Sequence, residues 1–112
     1  MKIHKDLSQE RWNSFSLFEQ LANVGMDIER TIIWKQQGNE EKSMQAFDRA
    51  LELLDMTIAD PKNKGPRLKE LVRTREALAD YFVFDNEYST NEKIWQDYFY
   101  QFNYAAALAK GR

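Results

Sequence analysis

The side chains that most often carry chemistry are few in this 112-residue chain. His4 is the only histidine, and the absence of cysteine removes disulfides, thiolate metal sites and cysteine nucleophiles together. A serine nucleophile would need a histidine beside it to take its proton. We expect His4 to lie in a frayed N-terminal end, so that a serine nucleophile lacks its base. The sequence therefore predicts no catalytic residue.

Carboxylates offer another route to chemistry, because they can hold Mg²⁺. Asp48, Glu52 and Asp55 share one face of a predicted helix, and Glu76 and Asp80 share a face of another. Neither set combines the Glu-x-x-Glu and Glu-x-x-Asp spacings that helical nucleotide pyrophosphatases use. We interpret both sets as solvated acidic faces, and we predict no metal ion and no cofactor.

Positive charge is concentrated in one segment, although the net charge of the chain is −2. Residues 61–75 carry six basic side chains against one acidic side chain, Glu70. Five of the six form what we name the basic block: Lys62, Lys64, Arg67, Lys69 and Arg73. The block surrounds a predicted helix start, where free backbone N–H groups and the helix dipole favour an anion. It predicts binding of phosphate, a nucleotide or nucleic acid, unless it only neutralises the acidic helices beside it.

Composition indicates a folded helical protein. Hydrophobic residues make up 43% and charged residues 30%, and only two prolines and four glycines interrupt the chain. The charged N-terminus does not resemble a signal peptide, and no apolar run reaches the length of a membrane span. We therefore expect one domain, residues 1–112, in the cytoplasm.

Apolar periodicity predicts four long helices. In residues 39–60, five large apolar residues recur every three or four positions and form one stripe: Met44, Phe47, Leu51, Leu54 and Ile58. Ala50 and Leu53 flank this stripe and widen it to the width of a core-facing surface. Three further helices are predicted from Ser16 to about Gln37, from Pro66 to about Phe84, and from Ser89 to about Lys110 before Gly111, with a short helical turn from Ser8 to Trp12. Short links between them predict an all-α, antiparallel up-down-up-down four-helix bundle.

One basic residue falls among the inward-facing positions of the third helix. Arg75 lies between Leu71 and Leu78, and an unpaired buried charge is very costly. Glu29 lies beside Gly25 on the first helix, where a neighbouring helix can approach closely. We predict an ion pair between Glu29 and Arg75; the alternative is that Arg75 extends its charged end to water.

Large apolar and aromatic residues also lie outside the predicted core stripes. Met26, Ile33 and Trp34 are off the stripe of the first helix, and Tyr100 and Tyr104 are off that of the fourth. These residues exceed what one four-helix core needs, so they predict a self-association surface. The alternative for the two tyrosines is an ordinary surface position.

Three segments resemble known proteins. They are NVGMDIERTIIWKQQGN, AFDRALELLDMTIADPKN and YFYQFNYAAA. Together they resemble a group of small uncharacterised bacterial proteins. The resemblance implies a single intact helical domain, and it brings no activity, substrate or catalytic residue.

These observations favour a non-enzymatic interaction protein that binds a protein partner as a homodimer. The second hypothesis is an anion- or nucleic-acid-binding accessory protein that uses the basic block. A helical nucleotide hydrolase is the third hypothesis, because the sequence lacks the combination of carboxylate spacings that such enzymes use.

Overall fold

The structure is a computed structural model that describes residues 7–110, and within this range the chain is helical, with no strand. The helices are α1 (Gln9–Asn13), α2 (Leu17–Gln36), α3 (Glu40–Ala59), α4 (Pro66–Phe82) and α5 (Glu92–Lys110), with a 3₁₀ turn at Pro61–Asn63. The all-α prediction is confirmed. His4 and Gly111 lie outside the described residues.

Most helix ends follow the capping signals of the sequence. The side chain of Ser16 accepts the N–H of Glu19, whose carboxylate accepts the N–H of Ser16, as in the predicted capping box. Gly38 has a left-handed φ of 78° just beyond α2, and Asn39 caps α3. Because only three residues separate α2 from α3, the two helices pack side by side.

The start of α5 differs from the prediction. Asn91, not Ser89, provides the cap: its side chain accepts the N–H of Ile94 at 2.9 Å. Ser89 has a left-handed φ of 56° in the preceding loop. The loop is held instead by Asp80 at the end of α4, whose carboxylate accepts the N–H groups of Glu87 and Tyr88 at 2.8 and 3.0 Å.

The buried face of α3 is rotated relative to the predicted stripe. Its buried residues are Ser43, Ala46, Phe47, Ala50, Leu53, Leu54, Met56 and Thr57. Phe47 and Leu54 of the predicted stripe are buried, as are the predicted flanking residues Ala50 and Leu53. Met44 is exposed, and Leu51 and Ile58 are half-buried. Ser43, one of the small buried residues, faces α2 and donates a hydrogen bond to the carbonyl of Thr31 at 2.8 Å. A pattern of large apolar residues does not include small buried residues such as Ser43, Ala46 and Thr57, so the predicted stripe misses part of the buried face.

The remaining helices lie on either side of this pair. α2 packs against both α3 and α5, and α4 packs against α3. A hydrogen bond between the hydroxyls of Thr74 and Tyr98, at 3.3 Å, joins α4 to α5. No helix in the range 7–110 combines the length and the apolar character that crossing a membrane requires.

The α5 contact depends on Gly25. A Cβ atom added at Gly25 would lie 2.7 Å from the Cβ of Phe99, closer than such atoms approach in proteins. Glycine at this position therefore lets α5 lie directly against α2.

The burial of α3 predicts a difference between two of its own side chains. Leu54 is fully buried, so Leu54→Ala should lower the free energy of unfolding by roughly 2–5 kcal/mol. Met44 is 39% exposed, and Met44→Ala should change it by no more than about 0.5 kcal/mol. Chemical denaturation measures both values. Equal losses in the two variants would contradict the buried face described above.

Candidate functional site

A groove runs between α2 and α5 beside the Gly25 contact. Its volume is about 270 Å³. The lining residues on α2 are Ala22, Gly25, Met26, Ile28 and Glu29, and those on α5 are Trp95, Gln96, Phe99, Tyr100 and Asn103. Glu29 is the only lining residue with a formal charge at neutral pH, so most of the groove is apolar or neutral. We name it the α2/α5 groove.

Four of the five residues predicted for self-association lie on the outer side of α2 and α5. Met26 and Tyr100 line the groove itself. Tyr104 stacks on Tyr100, with ring centroids 6.4 Å apart and planes 20° apart. Ile33 follows Met26 by seven positions, about two helical turns, so it projects to the same side of α2. We name Met26, Ile33, Gln96, Tyr100, Asn103 and Tyr104 the α2/α5 face.

Trp34 lies apart from this face. It projects toward α3, where the ammonium group of Lys42 lies 4.5 Å from the centre of its ring. Trp34 is half-buried in this position. The sequence grouped Trp34 with Ile33 because neither residue lies on the core stripe of α2. In the structure the two residues lie on different sides of that stripe.

The predicted ion pair between Glu29 and Arg75 does not form. Arg75 pairs with Asp55 on α3, its Nε atom 2.5 Å from the carboxylate, and its side chain is 38% exposed. Glu29 instead accepts a hydrogen bond of 3.4 Å from the amide of Gln96 on α5. The predicted close approach at Gly25 is present, but the helix that approaches is α5. Arg75 lies on α4 and faces α3.

The structure does not bring the basic block together as one patch. Lys62 binds the carboxylate of Asp60 and the carbonyl of Asn13. Arg67 and Lys69 are two positions apart on α4, so they project about 200° from each other. Lys69 and Arg73, four positions apart, share a side. Four exposed members of the block form no ion pair with a described residue: Lys64, Arg67, Lys69 and Arg73.

A buried polar cluster, not predicted from the sequence, lies where α3 ends. The side-chain amide of Gln20 donates to Asp60 at 2.8 Å and to the carbonyl of Trp12 at 2.9 Å. Asn63 donates to the side chain of Gln20 at 3.0 Å, and the indole of Trp12 donates to Thr57 at 3.0 Å. No member is more than 2% exposed. We name these five residues the polar cluster; it fastens α1 and the 3₁₀ turn to α2 and α3.

Asp60 is the charged member of the polar cluster. Burial alone would raise the pKa of its carboxyl, but hydrogen bonds from Lys62 and Gln20 outweigh burial and hold the pKa below the ordinary 3.8. The carboxylate is therefore ionised and paired in the folded protein. Its place at the end of a helix and its contacts with the turn indicate a structural role.

Neither metal chemistry nor a known relative identifies the site. In the part of the chain that the structure describes, no three His, Cys, Asp or Glu side chains lie close enough to hold a metal ion. Comparison of the chain with protein-family models, curated proteins and solved structures finds no match. The resemblance to small bacterial proteins stays a prediction.

Two members of the α2/α5 face, Gln96 and Asn103, were not predicted from the sequence. Polar residues on an amphipathic helix are expected on its wet side, so neither carried a signal. Their positions become significant only because α5 packs at Gly25 and places them beside Met26.

The lowered pKa of Asp60 predicts a loss of stability in acid. The unfolded chain takes up a proton at Asp60 below about pH 4, while the folded carboxyl stays ionised to lower pH. The free energy of unfolding should therefore fall as pH drops from about 4 through the folded pKa. Asp60→Asn should be less stable at pH 7 and show a shallower fall in acid, measured by denaturation at each pH.

The matched control for this prediction is Asp48→Asn, at an exposed aspartate of α3. It should keep both the stability at pH 7 and the acid dependence of the parent. An Asp60→Asn variant with the parent's full acid dependence would contradict the role given to this carboxylate.

Proposed function

We propose that this protein is a non-enzymatic interaction protein that acts as a homodimer through the α2/α5 face and binds a further protein partner. One observation carries the proposal: Met26, Ile33, Tyr100 and Tyr104 lie on one side of the molecule and are each between 42% and 67% exposed. Grouped exposure of large apolar side chains around a groove is typical of an interaction surface.

The charge pattern of α5 supports the same surface. Between Asp97 and Lys110 this helix has no charged residue, although Tyr100, Asn103 and Tyr104 are exposed. An exposed helix of a monomer normally carries charges on its wet side. Interface centres are depleted of charge and enriched in tyrosine, as this side of α5 is.

The uncharged outer side of α5 also favours a second copy as the partner. In a two-fold symmetric dimer the same patch meets itself, so any charge at the centre faces a like charge. The charged residues near the groove lie on α2, where Glu29 lines it; on α5, Lys93 pairs with Asp97 at 2.8 Å. A self-contact centred on Tyr100 and Tyr104 therefore brings together no like charges from positions 98–109 of α5.

We infer that the four long helices form the antiparallel up-down-up-down bundle predicted above. The short link between α2 and α3 supports this arrangement. So do the contacts of α2 with α5, in which Phe18 meets Phe102, Glu29 meets Gln96, and Gln36 meets Glu92. Residue numbers fall along one helix as they rise along the other. We assign the protein to the cytoplasm, in keeping with a chain without cysteine.

Binding of nucleic acid or another polyanion is the second candidate function. Lys69 and Arg73 favour it, because both are exposed on one side of α4 and neither forms an ion pair with a described residue. The N-terminal end of α4 also lacks a side-chain cap. The commitment of Lys62 to Asp60 and the separate direction of Arg67 leave this candidate behind the first.

Self-association through the α2/α5 face predicts how two variants sediment. At micromolar concentration the parent should sediment as a dimer of its 13.3 kDa chain. Met26→Glu places a charge in the centre of the face and should give a monomer. Val72→Glu makes the same change on α4, where Val72 is 38% exposed, and should remain a dimer. A monomeric parent would rule out the homodimer, and a Met26→Glu dimer would rule out this face.

The second candidate predicts salt-dependent binding of labelled RNA or DNA, measured by fluorescence anisotropy. Affinity should fall steeply as salt rises, because phosphate contacts release counterions. Lys69→Glu combined with Arg73→Glu should weaken it about tenfold or more. Lys42→Glu combined with Arg49→Glu makes an equal charge change on α3 and should have a smaller effect. No binding at low salt, or equal effects of the two double variants, would reject this function.

A further inference from the structure

The outer side of α5 carries a ridge made of two rings. Tyr100 and Tyr104 are one helical turn apart, and their rings stack nearly parallel. They are 67% and 56% exposed, so most of each ring faces outward. Tyr100 also forms one wall of the α2/α5 groove, whereas Tyr104 does not line it. The ridge and the groove therefore lie side by side on one face.

The groove suits an aromatic ring. Its volume of about 270 Å³ exceeds the roughly 150 Å³ cavity that accepts benzene in another protein. Met26 and Phe99 supply apolar walls, and Phe99 packs directly on Gly25 at the side of the groove. Glu29 supplies a carboxylate whose contact with Gln96 is long, at 3.4 Å, so it retains capacity to accept an O–H group. This combination fits the apolar ring and polar end of a tyrosine.

We propose that α5 crosses α5 of a second copy in the antiparallel direction, and that Tyr104 of each copy fills the α2/α5 groove of the other. The inference rests on the proposed homodimer and specifies its contact. Position 100 then lies opposite position 104 of the second copy, so the four tyrosines form one continuous stack. A parallel crossing would place ridge against ridge and leave both grooves empty.

The direction of crossing fixes which other positions of α5 meet. In the antiparallel arrangement, position 97 of one copy lies opposite position 107 of the other. In a parallel arrangement each position lies opposite itself. Asp97 and Ala107 are both exposed, so a cysteine at either position reaches the contact without disturbing the buried residues. The chain has no cysteine of its own, so each variant contains a single thiol.

Disulfide cross-linking tests the proposal directly. Asp97→Cys and Ala107→Cys chains are mixed, oxidised gently and analysed by mass, because a disulfide forms only when the two Cα atoms lie within about 7 Å. The mixture should give the linked 97–107 dimer, while each variant alone gives little linked product. Glu76→Cys on α4 is the control and should cross-link with neither.

A second measurement tests whether Tyr104 occupies the α2/α5 groove of the second copy. Tyr104→Ala should raise the dimer dissociation constant about tenfold or more, as expected for an aromatic anchor in a pocket. Gln101→Ala, at an exposed neighbouring position, should change it about twofold or less. Both values come from sedimentation over a range of concentrations.

The outcomes separate this inference from the homodimer itself. A dimeric parent whose variants link only at identical positions, or give no 97–107 product, overturns the antiparallel contact and leaves the homodimer standing. A dimer whose dissociation constant is unchanged by Tyr104→Ala overturns the placement of Tyr104 in the groove and leaves the homodimer standing. A parent that stays monomeric overturns both proposals.

Discussion

The close approach of α5 to α2 at Gly25 is the constraint on which the surface of this protein depends. A Cβ atom at position 25 would lie 2.7 Å from Phe99, so the contact exists only because the residue is glycine. The approach buries Trp95 and Phe99. It also places Tyr100 beside Met26 with a groove between them, so one missing side chain positions both the buried and the exposed part of α5.

The polar cluster has a complementary role at the end of α3. Asp60 and Asn63 leave the helix and meet Gln20 of α2, where each finds hydrogen-bond partners away from water. Buried polar groups cost free energy unless they are paired, so this cluster specifies one position for the 3₁₀ turn. The turn leads directly into α4. Apolar packing alone would allow these elements to shift, whereas paired amides and a carboxylate do not.

Most local features of the structure were predictable from the sequence, although Asn91 rather than Ser89 caps α5, and most relations between helices were not. The Ser16 capping box, the Gly38 stop and Pro66 at the start of α4 depend on neighbours in the chain, and all three are present. The contacts of Arg75 and Trp34 depend on which helix lies next to them, and apolar periodicity does not indicate which helix that is. Gly25 did predict a close approach, but the identity of the approaching helix required the structure. The burial of Gln20 was not predictable, because the sequence does not distinguish a buried amide from an exposed one.

The central claim is that two copies of this chain meet through the α2/α5 face, and a dilution series followed by nuclear magnetic resonance tests it most directly. Amide signals of an isotope-labelled sample are assigned and compared from low to high micromolar concentration. The account predicts concentration-dependent shifts at Met26, Ile33, Tyr100 and Tyr104, with the exposed side of α4 unchanged. Signals that do not move with concentration, or movements confined to α4 or to the Asp80 loop, would contradict it.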